Sequence, residues 1–148
     1  FALGHRNRPH RSQNARGGLL NFRATATVTS VITLLLGAAY ALAGPLVLSR
    51  WQLLPDASAL LLARRVGALY LGLSVIFFLA RSAPSSPARK ALSAGTAVAC
   101  FLLATTGLHA IFTGLVGPGM LVSVALELLL SLAFLRLFVL EHRATTAA

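Results

Sequence analysis

Two adjacent arginines, Arg64 and Arg65, stand inside a run apolar enough to cross a bilayer, ASALLLARRVGALYLGLSVIFFLA from Ala57 to Ala80. An arginine at mid-membrane depth costs roughly 2.5–3.5 kcal/mol on insertion scales, less if it snorkels or finds a partner. Two other ionisable residues lie inside apolar runs and offer such partners, His109 and Glu127. At 1.5 Å per helical residue, Arg64 sits about 10 Å in from Ala57, Glu127 about 10 Å from Met120 and His109 about 8 Å from Gly114. That counting predicts one polar layer built from three helices, within reach of one another in an antiparallel bundle. An Arg–Glu pair there offsets much of the insertion cost of each group.

Two uses follow for such a layer. It is either a buried ion pair that fixes helix register, with His109 bonded to a carbonyl or to Thr106, or a polar pocket. In the pocket reading, Glu127 and His109 handle protons or hold a lipid headgroup or quinone. The His109 imidazole is also a candidate axial ligand for a haem or chlorophyll pigment. Arg64 and Arg65 differ by about 100° around the helix, so only one can face the bundle centre. The spacing of Gly67, Ala68 and Gly72 does not choose between them.

The elements that must position these groups are four apolar helices. The 148 residues are 57% hydrophobic and 11% charged, with mean hydropathy +0.80, against about 25% charged residues in soluble domains. Spans are expected over 24–43, 57–80, 91–114 and 120–140, each close to the roughly 20 residues needed to cross the hydrocarbon core. The expected fold is an all-α, integral-membrane bundle of four transmembrane helices.

Residues 1–23 form a basic arm with Arg6, Arg8, Arg11, Arg16 and Arg23, and residues 141–148 a short polar tail. The arm has too few apolar residues to fold alone in water. Its arginines suit anionic headgroups, at about 1 kcal/mol each, or a protein partner. Nucleic acid is the weaker reading, since no aromatic or Gly-rich binding element accompanies them. The arm, the apolar run and the Ala41-Leu42-Ala43 ending imitate a secretory signal. The run exceeds the usual signal length, however, and a retained helix is expected. The sequence opens on Phe1 rather than Met, so Phe1 is not taken as the natural start.

Within the first span, Thr25, Thr29 and Thr33 recur at helical spacing, and Gly37 and Ala41 form a small-xxx-small pair that lets another helix approach. Gly67, Gly72, Gly95, Gly107 and Gly114 are read as packing positions too, and Tyr40 and Tyr70 as packing aromatics. Gly44-Pro45 ends the first helix, Trp51 marks headgroup level, and Asp56 is placed to cap the next helix. Gly117-Pro118-Gly119 makes a tight turn. Cys100 is the only cysteine, so no internal disulfide or thiolate cluster is available. His5, His10 and His142 lie in the tails without ligand spacing, and no phosphate loop or nucleophile elbow is present.

With four spans, Arg6, Arg8, Arg11, Arg16, Arg23, Arg81, Arg89, Lys90 and Arg143 fall on one side, and Arg50 alone in the loops of the other. The positive-inside rule then puts both termini in the cytoplasm. Arg136 is close enough to that side to snorkel.

The order of features resembles the DoxX-like group of small four-helix bacterial membrane proteins, and more closely an uncharacterised integral-membrane family near it. The matching features are GPLVLSRWQLLP after the first helix, ARRVGALYLGL in the second, a basic loop, a Gly/Pro turn, and the Leu126-Glu127 pair in the fourth. The resemblance spans about Ala24 to Leu140 and leaves the arm out. It implies a bacterial cytoplasmic-membrane protein; some DoxX relatives are associated with quinone-linked sulfur oxidation. It also favours Arg65 over Arg64 as the inward arginine. The leading functional expectation is a non-catalytic accessory subunit held by other subunits of a larger membrane complex. A binding or transport protein for a lipid, quinone or small hydrophobe comes second, and a membrane-embedded enzyme third.

Overall fold

The computed structural model describes residues 21–146. They form five helices and no strand: α1 Phe22–Leu42, α2 Gly44–Arg50, α3 Ala57–Ala80, α4 Pro87–Phe112 and α5 Leu121–Thr146. All but α2 are long and apolar enough to cross a membrane. The chain is therefore an all-α bundle of four membrane-crossing helices.

Local chemistry sets the helix ends. Asn21 caps α1, its side chain accepting from the Ala24 amide at 2.7 Å, so the helix begins inside the basic arm rather than at Ala24. Asp56 caps α3 in the same way through Ala59 at 2.7 Å, as its position after Pro55 suggested. Ser86 caps α4, and Pro87 at its first position starts that helix a turn before Ala91. The segment after α1 folds into the short helix α2, entered through Gly44-Pro45. Pro118–Met120 forms a single 3-10 turn that leads into α5. That helix continues past Leu140 because Glu141, His142 and Arg143 are compatible with a helix, and Glu141 finds a partner on α4.

The bundle is two tight hairpin-like pairs, α1 with α3 and α4 with α5, that meet along α1 and α5. In the first pair, a Cβ placed on Gly67 would lie 2.8 Å from the Ala41 nitrogen and 2.9 Å from the Gly37 carbonyl oxygen. Only glycine permits that approach, which confirms the small-residue motif of α1. In the second pair, a Cβ on Gly107 would fall 2.9 Å from Val124. Gly72, Gly95 and Gly114 meet nothing within 4 Å, so they are not packing positions within the bundle; Gly114, at φ 70, lies past the end of α4 at Phe112. One serine hydroxyl ties each pair: Ser30 donates to the Ser74 carbonyl at 2.9 Å, and Ser131 to the Ala97 carbonyl at 2.8 Å. Such bonds between membrane helices average about 0.6 kcal/mol, so van der Waals packing of the small residues dominates.

Both ends of the bundle are closed. At the end carrying the Arg81–Lys90 loop, Phe22 and Ala26 of α1, Phe77 of α3, Ala97 of α4, and Phe134 and Leu137 of α5 form one buried cluster. The Phe77 and Phe134 rings stand 5.4 Å apart within it. At the opposite end the two interhelical loops dock. The Gly117 amide donates to the Trp51 carbonyl at 2.8 Å, and Gln52, at φ 60, lays its side chain over Gly117. A Cβ at Gly119 would strike the Arg50 carbonyl.

Candidate binding cavity

Between the closed ends the four long helices do not fill the middle. A cavity of about 340 Å³ remains, lined from all four. Along α1 it reaches from Thr29 to Tyr40, about 16 Å at 1.5 Å per residue. It is therefore a slot, and its volume lies in the usual range for a small-molecule site.

The walls are mostly aliphatic, with polar groups concentrated at one end. Tyr40 and Tyr70 stack with ring centroids 5.8 Å apart, and Tyr40 meets Trp51 edge-on at 5.9 Å. Glu127 and Cys100 line the slot with these tyrosines. The Glu127 Oε2 is buried and has no hydrogen-bond partner among the described residues. Deeper in, Thr29 is 1% exposed and its hydroxyl is likewise unpartnered, whereas Thr33 bonds back to the Thr29 carbonyl at 2.8 Å. An unsatisfied buried polar group costs on the order of 1–3 kcal/mol. Two of them on one cavity are an invitation to a ligand with complementary groups.

Exposure around the slot is uneven. On α1 and α5 every lining residue is buried or half-buried. On the other two helices, Leu73 of α3 is 38% exposed and Leu103 of α4 is 47% exposed, and Ala91, Gly95 and Ala99 of α4 are exposed as well. Helices α3 and α4 do not pack along their lengths. The slot therefore opens sideways between them, where the surroundings are bilayer rather than water.

The polar layer expected from residue counting does not assemble. Of its four members only Glu127 lines the cavity; Arg64, Arg65 and His109 are exposed on the outside of the bundle, and none forms an ion pair with Glu127. Helix α3 turns Ala63, Gly67, Ser74 and Phe77 inward, because the small residues let α1 approach. Arg64 and Arg65 then follow Ala63 by about 100° and 200°, so the expectation of an inward Arg65 is corrected and both side chains point outward. Long arginine stems can carry their charge to headgroup level from there. On α4, Ala104 and Gly107 face inward, and His109 sits about 200° beyond Gly107. Thr106 bonds to the Leu102 and Leu103 carbonyls, not to His109.

An ion pair lies elsewhere, at the Arg81–Lys90 end, where Arg89 of α4 pairs with Glu141 of α5. Arg23 is exposed in the first turn of α1; Arg6, Arg8, Arg11 and Arg16 lie outside the described residues. Counting missed the roles of Thr29, Tyr40, Tyr70 and Cys100 as cavity walls. For Thr29 a signal existed in the Thr25–Thr29–Thr33 spacing; for the others the sequence held none. Among the described residues no three His, Cys, Asp or Glu gather as a metal site. No protein-family model, curated protein or solved structure matches the chain, and the resemblance to the DoxX-like group rests on the quoted sequence features alone.

Proposed function

We propose that the protein binds one small, elongated hydrophobe from the bilayer in the central slot and hands it on or holds it there. The observation that carries this reading is the buried, unpartnered Glu127 Oε2 at the aromatic end of an apolar slot. A ligand with a hydroxyl or amide donor at one end and an apolar body suits it, of which quinols, phenols and fatty alcohols are examples. Tyr40 and Tyr70 offer ring faces beside that donor, and the gap between α3 and α4 supports entry from the lipid side. The location that goes with this function is the bacterial cytoplasmic membrane that the DoxX-like resemblance implies, with both termini inside, an orientation supported by the nine-to-one division of loop and tail charges. The accessory-subunit reading draws on the basic arm, most of which lies outside the described residues; the slot supports binding instead.

Native mass spectrometry of the chain released from its membrane in mild detergent tests the proposal. One hydrophobe per chain is expected. Glu127→Leu should lower its occupancy about ten-fold, the scale of a hydrogen bond to a charged or strongly polar group. Gly95→Trp, which places a bulky ring at the open side, should lower it as well. A chain that carries no hydrophobe, and takes up none of these three ligand types when they are added, would refute the binding role.

A further inference from the structure

A second depression lies outside the bundle, along the seam where α1 meets α5. It is a groove of about 570 Å³, and Ile32, Leu126 and Leu130 form the wall that separates it from the central slot. Val28, Leu129 and Leu132 make most of its remaining apolar surface. Two polar groups break that surface, both towards the Arg81–Lys90 end. Arg136 lines the groove, is exposed, and has no acidic partner among the described residues. Thr25 also lines it, is only 7% exposed, and keeps its hydroxyl without a hydrogen-bond partner.

We propose that this groove is a binding site for one anionic phospholipid. The argument is charge and depth together. Arg136 lies 15 residues beyond Leu121, about 22 Å down α5, so within a hydrocarbon core about 30 Å thick its guanidinium can reach the nearer headgroup layer. A guanidinium binds a phosphate oxygen pair in bidentate fashion. The Thr25 hydroxyl, unpaired within the protein, donates to an ester or phosphate oxygen of the same lipid. An acyl chain then follows Val28, Leu129 and Leu132 along the seam. A soluble phosphate would satisfy the arginine but leave the apolar walls bare, and a zwitterionic lipid would cover the walls but set its own headgroup cation against the same phosphate, weakening its hold on Arg136. The site is independent of what the central slot binds.

The test is native mass spectrometry of the full chain in detergent, titrated with phosphatidylglycerol or with phosphatidylcholine. The expected result is one retained phosphatidylglycerol, bound at least about five-fold more tightly than phosphatidylcholine, the factor that one basic residue's roughly 1 kcal/mol represents. Arg136→Gln should abolish the preference, Arg136→Lys should keep part of it, and Arg50→Gln, at the other end of the bundle, should leave it intact. The lysine variant guards against a mere folding defect. Undiminished preference in Arg136→Gln overturns the proposal. So does displacement of the lipid by millimolar inorganic phosphate, which would mark a free-anion site. Cross-linking of two Leu132→Cys chains to the same extent with and without phosphatidylglycerol overturns it too, by showing that a second copy covers the groove.

Discussion

Arg89, in the first turn of α4, forms an ion pair with Glu141, near the end of α5. The same guanidinium lies 4.6 Å from the centre of the Phe22 ring on α1 and donates to the Ala83 carbonyl at 3.0 Å. One side chain thus ties the α3–α4 loop, α4 and α5 to the start of α1. Because α1 and α5 belong to different hairpin pairs, this contact locks the two pairs together at the end where Phe77 and Phe134 close the slot.

Glu141→Gln should therefore destabilise the bundle. The pair is largely but not fully buried, so a loss of about 1–3 kcal/mol is expected, below the 3–5 kcal/mol of a fully enclosed pair. Thermal unfolding in detergent measures it. A double-mutant cycle with Arg89→Gln should show strong non-additivity, since the two residues touch. Additive losses would mean the pair contributes no coupling.

Gly67→Val should separate α1 from α3. Two methyl groups would be driven against the Gly37 carbonyl and the Ala41 amide, and overpacking of this kind costs about 1–3 kcal/mol, sometimes more. Gly72→Ala is the matched control, because open space surrounds that position. It should leave stability unchanged or raise it by several tenths of a kcal/mol through reduced backbone freedom. Melting temperatures of the two variants against the parent settle the comparison.

Arg65→Leu and Glu127→Gln should be energetically independent. The arginine faces outward and the glutamate faces the slot, with no pair between them. Their combined effect on stability should equal the sum of the single effects within about 0.5 kcal/mol. Rescue of one substitution by the other would restore the ion-pair model that residue counting suggested.

The charge distribution also makes an orientation testable. In a Cys100→Ala background, a cysteine at Gln52 should react with an impermeant thiol reagent in intact cells, and one at Ser86 should be shielded. The reverse pattern would invert the topology.

Several features of this molecule are decided within a few residues of each other, and these the sequence determines. Four apolar runs of bilayer length dictate four helices, whatever they pack against. Asp56 after Pro55 dictates a helix start, since its carboxylate can reach an amide three residues on. Gly37 and Ala41 announce a close helix contact, and Gly67 supplies the other half. The site was not legible in that way. Depth along a helix follows from counting, which put Arg64, His109 and Glu127 in one layer. Rotation about the helix axis depends on which face the neighbours accept, and at 100° per residue an error of one position turns a side chain from the core to the lipid. The glycine contact with α1 set that rotation for α3 and sent both arginines outward. The slot itself exists because each hairpin pair packs tightly within itself while α3 and α4 stay apart, a balance of contacts between distant segments that no local pattern records.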